Sequence, residues 1–133
     1  MAPENLRYTK THEWVKLEGR KAVFGITDFA VKEIKDIVYL DLPPAGTAVK
    51  AGDAFGAVET VKAAFDIYAP VSGTVKTVNA VLAGHPETVS GDPYGAGWMV
   101  EIEATDAAKA GTEAASLMDA AAYAAHCGGG TGH

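Results

Sequence analysis

The sequence of 133 residues holds a single cysteine. One thiol closes no internal disulfide, forms no dithiol redox pair and builds no zinc site of several cysteines. Positive charge is scarce too. Lys and Arg number 11 against 17 Asp and Glu, a formal net charge of −6. Nucleic-acid binding is dominated by cationic contacts to phosphate, so no nucleic-acid partner is expected. No apolar run approaches the roughly 20 residues needed to cross a bilayer. Residues 1–5 carry neither the basic start and apolar stretch of a signal peptide nor an Arg- and Ser-rich transit pattern. The expectation is a cytoplasmic protein, or an already processed organellar one, that does not engage membrane.

Catalytic patterns are missing as well. Ser72, Ser90 and Ser116 sit in no Gly-x-Ser-x-Gly setting. His12, His85, His126 and His133 lack the His-x-x-x-His spacing of a helical metal site, and no metal is expected. Cys127 follows His126 at the edge of a glycine-rich tail, whereas a catalytic cysteine needs an ordered, electropositive pocket. The glycines of residues 91–97 precede a strand rather than a helix, which suits a loop and not a phosphate cradle.

What is present reads mainly as β. Trp14, Val15 and Leu17 form a first strand within residues 12–17, and Glu18-Gly19 turns it back. Ala22, Phe24 and Ile26 alternate with Val23 and Gly25, the period of two expected of a strand. Residues 28–35 break that pattern. Thr27 or Asp28 can cap a short helix there, with Phe29, Ala30 and Ile34 turned inward. Val38, Leu40 and Leu42 alternate again up to Pro43-Pro44. Residues 54–59 and 65–68 are short strands on either side of Lys62. Val71 and Val75 belong to another, and Trp98, Val100 and Ile102 alternate along a last one. Short strands at this spacing predict a sandwich or barrel. The chain then becomes alanine-rich, with Thr105 and Asp119 as caps for two short helices. Residues 1–127 are expected to be one domain, with a core over about 6–103 and helices over about 105–126. Residues 128–133 are expected to be a flexible tail.

One feature stands apart. Glu59-Thr60-Val61-Lys62-Ala63 puts a lysine where a hairpin tip should be. Gly46-x-x-Val49-x-x-Gly52-Asp53 precedes it and Ala69-Pro70-Val71-Ser72-Gly73-Thr74-Val75 follows, a faint internal echo of two half-sandwiches around Lys62. This arrangement resembles the biotinyl/lipoyl-attachment family, in which a lysine at a turn tip is acylated by a cofactor. Val61 and Ala63 stand where biotin domains have methionine, so the run looks like a lipoyl site. Further matches narrow the resemblance. Residues 8–14 (Tyr-Thr-Lys-Thr-His-Glu-Trp), residues 25–30 (Gly-Ile-Thr-Asp-Phe-Ala), Asp36-Ile37-Val38, Leu42-Pro43 and Asp92-Pro93-Tyr94-Gly95-x-Gly97-Trp98 are similar to the H-protein family of the glycine cleavage system. The likeness runs from about Leu6 to Tyr123. Lys35 departs from it, standing where glycine is usual.

The resemblance implies a barrel-sandwich hybrid of two antiparallel sheets, with a short helix near 28–35 and short C-terminal helices. It implies a monomeric, non-catalytic carrier with lipoate in amide linkage on Lys62. Its partners would be a glycine-decarboxylating P protein, an aminomethyl-transferring T protein, a dihydrolipoyl-oxidising L protein and the lipoylating enzymes. Thr60, Val61 and Ala63 would frame the attachment site. Glu59 would serve recognition by the lipoylating enzyme, or be an ordinary strand-end carboxylate. Glu13 and Asp66 match positions that contact the loaded arm, with Thr11 beside Glu13; the other reading of both acids is plain surface charge. A cationic amine on the arm favours carboxylate partners. Trp14, Trp98 and Tyr94 read as core or loop anchors. Two other readings remain: a relay that passes lipoate to other complexes, and a small enzyme using Cys127 and His126.

Overall fold

Strand β2 (Glu13–Glu18) and strand β3 (Lys21–Ile26) form the hairpin that the alternation predicts, with Gly19 at φ 63° in the left-handed region of its two-residue loop. The computed structural model describes residues 6–34, 37–104 and 106–129. Strand β1 (Arg7–Tyr8) precedes the hairpin. After it come helix α1 (Asp28–Ile34) and strands β4 (Ile37–Asp41), β5 (Ala48–Val49), β6 (Ala54–Thr60), β7 (Ala64–Tyr68) and β8 (Gly73–Val78). Helices α2 (Val81–Gly84) and α3 (Glu87–Gly91), strand β9 (Val100–Glu103) and helices α4 (Ala107–Ala115) and α5 (Ala120–Gly129) complete the order.

Two antiparallel sheets result. One runs β1-β2-β3-β9-β8-β5, the other β4-β6-β7. The expected mainly β, two-sheet class is what the chain adopts, without closure into a barrel. The echo around Lys62 has a physical counterpart: Val49 pairs with Gly73 and Ala48 with Thr74, so the segments before and after the lysine join as β5 and β8.

The core has three parts. Val15, Phe24, Val71, Val75, Val100 and Ile102 pack over the larger sheet. Ile26, Leu40, Val58, Ile67, Leu82, Val89 and Met99 fill the space between the smaller sheet and helices α1 to α3. Phe55 touches both groups. Leu6, Tyr8, Trp14 and Tyr123 form the third cluster and hold α5 against β1, where the Tyr8 and Tyr123 rings stack at 4.7 Å. At Gly25, opposite Trp14, a Cβ would lie 2.6 Å from the indole nitrogen, so glycine is what lets the indole cross the strand. That indole N–H donates to the Pro93 carbonyl at 2.9 Å and ties down the following loop.

Several local expectations change. Val38 is 52% exposed, because a bulge between Ile37 and Tyr39 shifts the register and turns Ile37 and Leu40 inward instead. Trp98 lies before β9 and is half-buried, while its neighbour Met99 is fully buried. Helix α4 is capped by Asp106, whose carboxylate accepts from Ala108 N at 2.8 Å; Thr105, Lys35, Asp36 and residues 130–133 lie outside the described residues. Asp119 accepts from Ala122 N at 2.8 Å, as a cap does. Helix α5 includes Gly128 and Gly129. Thr27 caps α1, taking Ala30 N on its hydroxyl at 3.2 Å. Helices α2 and α3 were not expected: four and five residues are too short to show a helical period.

Candidate functional site

The β6–β7 hairpin carries the lysine at its apex. Glu59 pairs with Ala64, leaving Thr60 to Ala63 to make the turn. Thr60 braces it from both sides. Its N–H donates to the Ala63 carbonyl at 2.8 Å, and its hydroxyl accepts from Lys62 N at 3.2 Å and from Ala63 N at 3.1 Å. A threonine that bonds the backbone two and three residues on makes a rigid turn. The side chains of Val61, Lys62 and Ala63 are exposed, Val61 to 79%. Lys62 is therefore an exposed residue on a braced backbone. Glu59 is half-buried at the end of β6.

Beside the hairpin is a cleft of about 590 Å³. Ile26, Phe29, Val58, Phe65 and Ile67 give it an apolar lining; Lys10, Thr11, His12, Glu13, Glu33 and Asp66 supply polar groups. Glu13, Thr11 and Asp66, chosen from sequence, are thus brought together, and next to the Lys62 hairpin. Their environments differ. Asp66 is exposed on edge strand β7, whereas Glu13 is 1% exposed. Glu13 is no surface charge. Its Oε1 accepts from the Thr9 and Thr11 hydroxyls, and its Oε2 from Tyr68 N at 3.1 Å. Burial pushes the Glu13 carboxyl above its ordinary value, and these donors pull it partly back.

His12 forms part of the wall in a left-handed conformation, φ 73°, which histidine tolerates better than most residues. Its Nδ1 is 2.7 Å from the Tyr123 hydroxyl, which also meets Thr27 Oγ1 at 2.6 Å. The ring packs on Phe29 at 4.6 Å and faces His126 at 5.6 Å. Helix α5 thereby buttresses one side of the cleft. Sequence reasoning missed His12, Phe29, Glu33 and Phe65 as lining residues. The alternation of Phe65 and Ile67 on β7 was the available signal.

The remaining candidates take structural places. Tyr94 donates to Asp28 Oδ1 at 2.8 Å and anchors the Asp92–Gly97 loop on α1, while Asp92 accepts from Ala96 N at 3.0 Å. His126 Nε2 meets the Lys10 carbonyl at 3.2 Å. Cys127 is half-buried and hydrogen-bonded to Tyr123, so His126 and Cys127 are engaged with different partners. A second cleft of about 560 Å³ lies on the other side of Thr11 and Tyr68, walled by Tyr8, Leu117 and Met118; it does not reach the hairpin tip. Among the described residues no cluster of three or more metal-ligating side chains occurs, and no helix is long and apolar enough to cross a membrane.

The chain is similar in sequence and fold to known proteins. The family model described as "Glycine cleavage H-protein" matches residues 6–128. A glycine cleavage system H protein of Chlorobium luteolum is 51% identical over 129 residues, covering 96% of this chain and 98% of its own. One from Anaeromyxobacter sp. (strain K) is 49% identical over 123 residues, covering 92% and 93%. The crystal structure of a glycine cleavage system H protein from Mycobacterium marinum superposes with a TM-score of 0.83 at 32% identity, covering 99% of this chain and 100% of that one. A family model over residues 6–128 and relatives about 50% identical over most of their length show that the chain belongs to the glycine cleavage H-protein family.

Proposed function

We propose that this chain is the lipoyl carrier of the glycine cleavage system, with lipoate in amide linkage on Lys62. The observation that carries the reading is an exposed lysine on a Thr60-braced tip beside a cleft that holds a buried carboxylate. The residues present fit the group: a reachable amine, an apolar lining for a hydrocarbon arm, and carboxylates for a cationic cargo. Bound lipoate supplies the two sulfurs that this one-cysteine chain lacks, to carry an aminomethyl unit and then a pair of electrons.

The chain's own residues position and protect. Thr60 holds the backbone of residues 62 and 63, so the direction in which the lysine leaves the tip is set. A carboxylate has about four acceptor sites. On Glu13 these meet the Thr9 and Thr11 hydroxyls, Tyr68 N and its own backbone N–H, so the carboxylate would draw an ammonium in the cleft by its charge. Asp66 adds negative charge at the rim. Ile26, Phe29 and Val58 keep the floor dry, which strengthens such a pairing.

The family name supports a carrier subunit and not a catalyst. In this reading the chain meets the P, T and L proteins in turn and is lipoylated by a lipoate ligase, or by an octanoyltransferase with lipoyl synthase. It acts as a cytoplasmic monomer whose residues 1–127 form one carrier domain. Intact mass after expression with lipoate is the test. One lipoyl increment is expected, absent in Lys62→Arg; an unmodified wild-type chain would overturn the reading. Glycine–bicarbonate exchange with a P protein then separates a glycine-cleavage carrier from a pure lipoate relay, which supports none.

A further inference from the structure

Among the described residues His12 is the one non-glycine residue with positive φ. Such a conformation persists where several contacts hold it. The His12 carbonyl accepts Thr27 N at 3.0 Å, and its ring meets Tyr123, Phe29 and His126. Tyr123 is the node. Its hydroxyl lies 2.7 Å from His12 Nδ1 and 2.6 Å from Thr27 Oγ1, and Thr27 in turn takes Ala30 N to cap α1. The loop before β2 and helix α1 are two walls of the cleft beside Lys62, whereas Tyr123 on α5 does not line it. One buried phenol behind the cleft therefore joins both walls.

The hydrogens along this chain of contacts have one satisfied direction. Thr27 is fully buried and its oxygen already accepts from Ala30 N, so among the described residues its own hydrogen has only the Tyr123 oxygen to meet. The phenol hydrogen is then aimed at His12 Nδ1, which puts the ring's own hydrogen on Nε2 and leaves the imidazole neutral. The reverse direction strands the Thr27 hydrogen in a buried place. Protonating Nδ1 demands that reversal.

We propose that Tyr123 is a positioning residue of the cargo cleft: its hydroxyl holds the His12 imidazole neutral, so that the wall adds no second positive charge beside Lys10 against a cationic aminomethyl arm. The inference rests on Lys62 carrying a lipoyl arm. The other ionisable groups that face His12 or the space before it are Lys10 and Glu13 on its own loop, Glu33 on α1, Asp66 on β7, and His126 and Cys127 on α5. Burial, then His126, lower the His12 value, with Glu33 opposing, which agrees with a neutral ring. The raised Glu13 carboxyl also takes up a proton as pH falls, with or without the Tyr123 hydroxyl. Removing that hydroxyl leaves Nδ1 more basic, and an imidazolium in the wall then repels the cargo.

Tyr123→Phe deletes the oxygen and keeps the ring that stacks on Tyr8. In the unmodified full chain, ring-nitrogen NMR shifts should show the Nε2–H form of His12 in wild type, and a mixture of both neutral forms with a higher titration midpoint in the variant. The lipoylated full chain is then loaded from glycine by a P protein, and ammonia release is followed against pH. Water that reaches an uncovered aminomethyl thioether frees ammonia and formaldehyde and restores the thiol. The rate in Tyr123→Phe should match wild type at about pH 8, where both rings are neutral, and exceed it about three- to tenfold near pH 6, the range one net hydrogen bond supplies. Made in a His12→Asn chain, whose asparagine suits the left-handed region, the same change should show no such rise. In a His126→Gln chain it should still show one. An excess that is uniform across pH assigns Tyr123 a purely structural role and overturns the proposal, as does an unchanged His12 titration. A wild-type His12 in the Nδ1–H form overturns it even if Tyr123→Phe fails to fold. A wild-type chain that gains no lipoyl increment sinks the carrier reading itself and leaves the NMR result standing.

Discussion

The Glu13 carboxylate accepts the backbone N–H of Tyr68 at 3.1 Å, across 55 positions of chain. Glu13 opens β2 in the larger sheet, and Tyr68 ends β7, the edge strand of the smaller one. One buried side chain therefore links the two sheets at the cleft beside the Lys62 hairpin. Burying a carboxylate is costly unless donors meet it, and here two hydroxyls and a backbone N–H do.

Glu13→Ala should remove that tie and strand its donors. Leaving a buried donor unmet costs about 1–3 kcal/mol, which denaturant unfolding will read. Lipoylation should persist, because Thr60 and the tip are untouched. Ammonia loss from the loaded arm should quicken; an unchanged rate would remove Glu13 from any protective role.

Glu13→Gln should alter the pH dependence in a fixed direction. Burial raises the folded value of this carboxyl above that of the unfolded chain. The folded state thus binds the proton more tightly, and its contribution is full below the unfolded value near 4.5. It is lost as pH rises through the raised folded value. The glutamine variant lacks this loss, so its stability should decline less than wild type from about pH 4 to pH 7. Thermal midpoints across that range check it.

His12 should act at the acid end with the opposite sign. Burial, then the nearby His126, lower its value below 6.5, with Glu33 opposing. The neutral ring is what the fold holds. Its contribution is full above the unfolded value near 6.5 and is lost as pH falls through the lowered folded one. His12→Gln should flatten the stability curve between about pH 6.5 and pH 5. Hydrogen exchange in α5 should report the same change, since Tyr123 on that helix meets the His12 ring.

Gly25→Ala should destabilise the fold. The new methyl would meet the Trp14 indole at 2.6 Å, and moving the ring breaks its hydrogen bond to Pro93. Overpacking of this kind costs about 1–3 kcal/mol. Chemical denaturation and indole fluorescence, which follows ring displacement, measure the cost.

Much of the fold was legible because its signals are local. The alternation of Ala22, Phe24 and Ile26, the caps at Thr27 and Asp119, and the Thr60 to Ala63 turn each depend on a few neighbouring residues. Val38 was misread for a reason alternation cannot reveal: a bulge is set by the partner strand, and one extra residue turns the next side chain over. The cap of α4 fell one position later, on Asp106, because both neighbours have capping side chains and only the backbone path selects between them.

By itself, the sequence determined a sandwich or barrel of short strands with one lysine on a tight turn; the two antiparallel sheets were implied by its resemblance to the H-protein family. Strand period, turn residues and the Glu59–Ala63 run are properties of adjacent positions. The same resemblance implied roles for Glu13, Thr11 and Asp66 without showing what surrounds them. Only the tertiary structure decided that Glu13 is buried and Asp66 exposed, and that both lie on one cleft with Phe29, Phe65 and His12. The physical reason is that desolvation depends on which segments pack together. Glu13 is a buried carboxylate because a strand edge from 55 residues away closes over it and supplies a donor.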